Sequence, residues 1–143
     1  MLSRALLAAL VLAVSACSPL VVDPVEQLRN ANKLNLAHVS PGMTRTQVES
    51  VMGSARAGGG LTDIAFGRVQ YLQATNPMRE ETLPSADGAD YLVLFYYTDV
   101  HELDDKITDD ELTPVVFRDG KVAGIGYGYL GRRVAKYRQY VPQ

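Results

Sequence analysis

The chain has 143 residues, of which 14 are basic and 16 acidic, so its formal net charge is −2. This length fits one domain that can bury a hydrophobic core of its own. This net charge is modest, and its distribution along the chain matters more than its sum. We expect no nucleic-acid partner. The single cysteine excludes a disulfide bond within the domain.

Residues 1–16 have the pattern of a secretory signal peptide. Residues 1–4 carry one positive charge, and an unbroken apolar run follows at residues 5–14. Ten residues form a helix of about 15 Å, half the thickness of the hydrocarbon core, so this run does not predict a transmembrane span. Two small residues then precede Cys17, the only cysteine, and this arrangement is similar to a bacterial lipobox.

The lipobox resemblance implies cleavage before Cys17, a diacylglyceryl group on its thiol and an acyl chain such as palmitate on its new amine. Two acyl chains already anchor a protein stably, at about 0.8 kcal/mol per buried methylene, so three form a permanent anchor. Ser18 stands where an aspartate commonly retains such proteins in the inner membrane. We therefore expect residues 17–22 to be a lipidated tether in the outer membrane, with the domain facing the periplasm. The alternative is an ordinary signal peptide with a chance cysteine.

The first helix is predicted to begin directly after the tether. Asp23 is an acidic N-cap, Pro24 suits the first helical position, and Glu26 lies three residues after the cap. We predict that the helix runs to about Ala37, before a break at residues 40–42. Its apolar stripe is ragged and runs through Val25, Leu28, Ala31 or Lys33, Leu34 and Leu36.

A second, shorter helix is predicted from Thr44 to Gly53. Thr44 and Gln47 form a Thr-x-x-Gln capping box, and Gly53 stands where a left-handed C-cap ends a helix. Its apolar stripe consists of Val48, Val51 and Met52. Both helices are near or below the length that is stable alone in water, so each needs a surface to pack on.

The strands that supply this surface are predicted downstream. Residues 91–97 (YLVLFYY) form a continuous apolar and aromatic run, which indicates a strand covered on both sides. A further strand is predicted within residues 64–74. We interpret residues 55–60, which are rich in glycine, and residues 75–90, which contain several turn signals, as loops.

The dipeptide Asp119-Gly120 is the strongest hairpin signal in the sequence, and it predicts strands at residues 114–118 and 121–129. Helices come first and antiparallel strands follow. This order indicates an α+β fold, with two short N-terminal helices packed on one face of a three- to four-stranded antiparallel sheet. We expect residues 23–143 to be a single domain that ends in a basic tail.

Residues 126–131 satisfy the GxGxxG pattern, but they do not predict a dinucleotide site. That site needs an acidic residue about 20 positions further on, whereas only twelve residues follow Gly131 and none of them is acidic. By the period of two, Gly124, Gly126 and Gly128 lie on one side of the predicted strand. They leave bare backbone, which another segment can approach closely.

No constellation of catalytic or metal-binding residues is evident. His38 and His101 lie far apart without cysteine or histidine neighbours at ligand spacing, and we interpret them as a turn residue and a solvated residue. The acidic residues 99–111 lack the central glycine and alternating oxygen ligands of a calcium loop, so we interpret them as a solvated acidic loop. We predict no enzyme activity, no cofactor and no metal.

Charge is unevenly distributed along the second half of the chain. Residues 80–111 contain eleven carboxylates against one lysine, and residues 118–143 contain six basic residues against one aspartate. The C-terminal cations that we consider as contacts for an anionic surface are Arg132, Arg133, Lys136 and Arg138. Three interpretations stay open: a charged face of a terminal helix, contact with lipid headgroups or lipopolysaccharide, and pairing with the protein's own acidic stretch.

Two segments resemble a known family. Residues 42–53 (GMTRTQVESVMG) and residues 117–127 (FRDGKVAGIGY) are similar to the SmpA/OmlA family of small outer-membrane lipoproteins, which includes BamE, the E subunit of the β-barrel assembly machine. The resemblance implies two helices against a three-stranded antiparallel sheet. It also implies structural roles as turn, core contact, N-cap, core residue and C-cap, in that order, for Gly42, Met43, Thr44, Val48 and Gly53.

The chain departs from that family in one motif position, because Ser54 stands where a proline is usual. Residues 96–126 also look like a second set of envelope lipoproteins with this fold. We therefore expect a non-catalytic envelope lipoprotein that supports outer-membrane assembly or integrity through protein contacts, with barrel-assembly subunits or another envelope protein as partner. The alternative is a periplasmic binding or inhibitor module that presents its sheet face to an enzyme.

Overall fold

The computed structural model describes residues 23–63, 68–84, 88–102 and 104–142, and for residues 60–63 and 68–70 it describes the backbone alone. The predicted signal peptide and tether lie outside these ranges. The helices are α1 (Pro24–Leu36), α2 (Arg45–Met52) and α3 (Tyr127–Leu130), and the strands are β1 (Arg56–Asp63), β2 (Arg68–Thr75), β3 (Arg79–Pro84), β4 (Asp90–Tyr97), β5 (Leu112–Arg118) and β6 (Lys121–Ile125). Short 3₁₀ helices cover Asp109–Glu111 and Ala135–Tyr140. No helix within the described ranges is long and apolar enough to cross a membrane.

The strands form two antiparallel sheets. The larger sheet has the order β3-β4-β5-β6, and β1 pairs with β2 in a separate two-stranded sheet that we call the ribbon. The predicted α+β class with an antiparallel sheet is therefore confirmed. The Asp119-Gly120 hairpin between β5 and β6 is also confirmed, and both turn residues have positive φ, 52° and 74°.

Two segments that the sequence indicated as loops contain strands. Residues 55–60 belong largely to β1, because the glycines pair in register with β2 despite their low strand propensity. Within residues 75–90, β3 forms at the edge of the larger sheet, where alternating exposure accommodates its charged residues and its terminal proline. Both loop predictions were wrong for these positions.

The strand predicted for residues 121–129 is shorter than expected. β6 ends at Ile125, and Gly126, with φ of 80°, is the N-cap residue of the short helix α3. The prediction that Gly126 and Gly128 continue the bare strand face was therefore wrong. At Gly124 the expected close approach is present, since a Cβ atom there would overlap the ring of Tyr129.

β4 contributes side chains to two buried clusters. Tyr91, Val93, Phe95 and Tyr97 belong to the first cluster, whereas Leu94 and Tyr96 belong to the second. Successive side chains of a strand point to opposite faces. The prediction that this strand is covered on both sides is confirmed.

The two N-terminal helices contribute buried residues to different clusters. Val25 and Leu28 of α1 belong to the first cluster, and Val48 and Met52 of α2 belong to the second. The sequence prediction, which placed both helices on one face, did not anticipate this division. Because of this division, α1 and the C-terminal residues Val134 and Tyr137 contribute to the first cluster, whereas α2 contributes to the second.

α1 begins as predicted, because Asp23 Oδ1 accepts a hydrogen bond from the Val25 N–H at 2.7 Å. The helix ends at Leu36, within one residue of the prediction. Its predicted apolar stripe is wrong at Leu34, which is 71% exposed. The buried positions of α1 are Val25, Leu28 and Asn32. A polar side chain thus completes the stripe, at the i, i+3, i+7 spacing of one helix face.

The capping box predicted for α2 is present. The Gln47 N–H donates to Thr44 Oγ1 at 3.3 Å, and Gln47 Oε1 accepts from the Thr44 N–H at 2.9 Å. Gly53 ends the helix with φ of 73°. Just before α2, Gly42 has φ of 90° and donates its N–H to the carbonyl of Val122 in β6 at 2.8 Å. The segment that resembles the SmpA/OmlA motif therefore also pairs with the edge of the larger sheet.

Candidate functional site

The C-terminal segment, residues 131–142, packs against the larger sheet through tyrosines. Tyr137 is fully buried, and its ring centroid lies 5.6 Å from that of Phe95 in β4 and 5.7 Å from that of Tyr127 in α3. Tyr140 completes the group, 4.8 Å from Tyr127. Aromatic pairs at these separations contribute about 0.5–1.5 kcal/mol beyond the area they bury. The basic tail of the sequence is thus part of the folded domain.

Glu81 of β3 contacts three groups, two of which belong to this segment. Tyr137 donates its hydroxyl to Oε2 at 3.0 Å, and Lys136 Nζ lies 3.1 Å from the same atom. Arg79 Nε lies 2.8 Å from Oε1, although its N–H is not aligned for a hydrogen bond. Burial opposes ionisation of the Glu81 carboxyl, but the hydrogen bonds from Lys136 and Tyr137 and the charge of Arg79 outweigh it and lower its pKa.

Arg79 connects Glu81 to the acidic loop. Its Nη1 lies 2.8 Å from Oδ1 of Asp109, and its guanidinium carbon lies 4.2 Å above the ring of Phe95. The backbone carbonyl of Asp109 accepts a hydrogen bond from the Tyr127 hydroxyl at 2.6 Å. The Lys136–Glu81 pair is a case of pairing between the C-terminal cations and the protein's own acidic stretch, one of the three interpretations left open by the sequence.

The four cations predicted to contact an anionic surface are divided by the structure. Lys136 pairs with Glu81, and Arg133 places its guanidinium carbon 3.6 Å above the ring of Tyr129 and donates to the carbonyl of that residue at 3.1 Å. Arg132 and Arg138 are exposed and make no ion pair with any residue that the structure describes. Of the four cations, these two thus have neither an ion pair nor a stacked ring within the described ranges.

Glu111 shows that the acidic loop is not uniformly solvated, so that interpretation was wrong at this residue. Glu111 is 2% exposed, and its two carboxylate oxygens accept the N–H groups of His101 at 2.9 Å and Thr108 at 3.0 Å. The carboxylate therefore holds the ends of the loop together. His101 and His38 are exposed, the latter in a turn, as expected. Across the described ranges, no group of three or more histidine, cysteine, aspartate or glutamate side chains can hold a metal ion.

Sequence reasoning missed a buried amide pair that joins four parts of the fold. Asn32 donates to Asn76 Oδ1 at 2.9 Å and to the carbonyl of Tyr97 at 2.9 Å. Asn76 returns a hydrogen bond to Asn32 Oδ1 at 2.7 Å and donates to the carbonyl of Met52 at 2.8 Å. The only sequence signal was the spacing of Asn32 with Val25 and Leu28 on one helix face. We assign the pair a structural role, because its hydrogen bonds stay within the fold.

The fold and these contacts define a small α+β protein with a docked basic C-terminal segment. The chain belongs to the family described as protein of unknown function (DUF3192), whose model matches residues 11–130. No curated protein and no solved structure matches the chain. The matched region includes Cys17, which lies outside the described residues, and it ends at Leu130, before the C-terminal segment.

Proposed function

We propose that this protein is a non-catalytic lipoprotein of a bacterial envelope, anchored through Cys17, with its domain held against the outer membrane. The observation that carries the proposal is the spacing between the lipobox and the fold. α1 is capped by Asp23, only six residues after Cys17. A fully extended chain spans at most about 3.3–3.6 Å per residue, so the capped end of α1 lies within about 20 Å of the lipidated cysteine.

This short reach sets where the domain can act. The domain lies close to the bilayer, so a partner must contact it there. Subunits of a membrane-bound assembly meet this condition. The resemblance of residues 42–53 to the SmpA/OmlA motif supports the same role, support of outer-membrane assembly or integrity through protein contacts. The DUF3192 family match does not itself link the chain to SmpA/OmlA. We propose that the partner is a barrel-assembly subunit or another envelope protein.

The second candidate is a periplasmic inhibitor that presents its sheet face to an enzyme. It has less support, because β4 is buried on both sides and the C-terminal segment occupies part of one face. An inhibitor of this type needs an uncovered sheet face. On this side of the larger sheet, such a face would require displacement of Tyr137, which is fully buried.

Fractionation of cells that produce Cys17→Ser tests the anchor. We expect the wild type in the outer-membrane fraction, and the variant as an uncleaved precursor or a soluble form. Recovery of both proteins in the outer-membrane fraction as the same cleaved form would contradict the proposal. Cross-linking of the wild type in intact cells then tests the partner: neighbours from the barrel-assembly machine support the assembly role, whereas a single soluble enzyme supports the inhibitor.

A further inference from the structure

The outer face of the ribbon carries an exposed aromatic residue. Leu72 and Ala74 of β2 are buried, so by the period of two Tyr71 and Gln73 lie on the opposite face. Tyr71 is 80% exposed, whereas the other seven tyrosines are buried or half-buried. Its cross-strand partner is Gly60, which adds no side chain to cover the ring.

The same face carries polar groups suited to a headgroup region. Arg56 is exposed and makes no ion pair with the part of the chain that the structure describes. A groove of about 180 Å³ lies beside it, and its lining includes Arg56, Gly58 and Gln73. Gly58 has ordinary backbone angles, and a Cβ atom there would meet nothing within 4 Å. The fold itself therefore does not require glycine at this position.

The ribbon lies at the point where the tether enters the domain. A Cβ atom added to Gly59 of β1 would overlap the carboxylate of Asp23, the cap of α1. Gly59 pairs with the buried Leu72, so Asp23 touches the inner face of the ribbon and Tyr71 stands on its outer face, across a single layer of strands. The chain from Cys17 to Asp23 spans at most about 20 Å, so the part of the ribbon around Gly59 also lies within about this distance of Cys17.

We propose that the outer face of the ribbon rests on the bilayer interface, with the ring of Tyr71 at headgroup level and Arg56 beside lipid phosphates. Tyrosine is enriched at membrane–water interfaces because its ring is apolar and its hydroxyl is hydrated. A cation near the surface is attracted by anionic lipid. This inference rests on the proposed lipid anchor, since the anchor brings the ribbon to the membrane.

The chain contains no tryptophan, so one substitution provides a site-specific fluorescent reporter. Three variants of the full-length protein are needed: Tyr71→Trp on the ribbon, Gln139→Trp on the C-terminal segment, and Lys121→Trp in the β5–β6 hairpin as control. All three residues are exposed. Each mature variant is purified from membranes, checked for its lipid by intact mass, and reconstituted into vesicles with or without brominated phospholipids.

We expect brominated lipid to quench the Tyr71→Trp variant strongly and to leave the Lys121→Trp variant nearly unchanged. The emission of Tyr71→Trp should also shift to shorter wavelength on reconstitution. Quenching of Tyr71→Trp no greater than that of Lys121→Trp overturns the inference, and quenching confined to Gln139→Trp assigns the membrane-facing surface to the C-terminal segment instead.

Two further outcomes separate this inference from the proposed function. A mature protein without lipid overturns both. A lipidated protein whose Tyr71→Trp reporter is shielded from aqueous acrylamide in native membranes, yet unaffected by brominated lipid in vesicles, overturns the membrane contact alone. That result indicates that a protein partner covers the ribbon.

Discussion

The C-terminal segment and the ribbon use similar side chains in opposite ways. In the C-terminal segment, Tyr137 is buried and Lys136 pairs with Glu81, so an aromatic ring and a cation both serve the fold. In the ribbon, Tyr71 and Arg56 are exposed and have no such partners within the described ranges. The density of tyrosine and arginine in a sequence therefore does not identify an external contact surface. The surroundings of each side chain decide whether it stabilises the fold or is available for an external contact.

The largest expected effect comes from deleting one tyrosine in each region. Tyr137→Ala should lower the free energy of unfolding by about 3–5 kcal/mol, the usual cost of removing a buried aromatic side chain. Tyr71→Ala should change it by no more than about 0.5 kcal/mol, as is usual for surface substitutions. Urea denaturation of both variants provides the measurement. Equal losses would show that the ribbon tyrosine also serves the fold.

The next effect concerns Glu81, which holds the C-terminal segment. Its pKa in the folded protein lies below the ordinary value of a glutamate carboxyl. A lowered carboxyl pKa stabilises the fold above the unfolded-state pKa, and this contribution is lost as the pH falls from about 4.3 through the folded-state pKa. Glu81→Gln should lose about 1–2 kcal/mol of stability at neutral pH.

Thermal unfolding of wild type and Glu81→Gln between pH 3 and 7 provides the measurement. We expect the two curves to converge at the acid end, because the wild-type carboxyl is then protonated and has lost the same pairing. A constant difference across the range would contradict the assigned role. Glu102→Gln, in an exposed part of the acidic loop, is the control.

The smallest expected effect tests the difference between the C-terminal cations that contact the fold and those that do not. Arg133→Gln with Lys136→Gln should lower the free energy of unfolding by about 0.5–2 kcal/mol, since one exposed ion pair and one stacking contact are lost. Arg132→Gln with Arg138→Gln removes the same charge and should have an effect within about 0.5 kcal/mol. Equal losses in the two double variants, measured by urea denaturation, would contradict the division.

Local signals predicted the helices and one hairpin well. Asp23, Thr44, Gly53 and Asp119-Gly120 act through hydrogen bonds or backbone angles within a few residues, so their effect is readable in the sequence. β1 and β3 were missed because pairing with a neighbouring strand overrides the weak propensity of glycine and of charged residues.

The candidate surfaces were less predictable than the fold. The contact of Lys136 with Glu81 joins residues 55 positions apart, and that of Asn32 with Asn76 joins residues 44 apart. No local pattern encodes such a contact, because it depends on the packing of distant elements. For the same reason, the sequence grouped four cations that the structure separates, and it gave no sign that Tyr71 alone among the tyrosines is exposed.

Intact-mass analysis of the mature protein tests the lipid anchor most directly, and with it the placement of the ribbon at the membrane. We predict a chain that begins at Cys17 and carries the added mass of a diacylglyceryl group and one further acyl chain. A mature N-terminus elsewhere, or an unmodified thiol on Cys17, would contradict the lipoprotein proposal and remove the basis for placing the ribbon at the membrane.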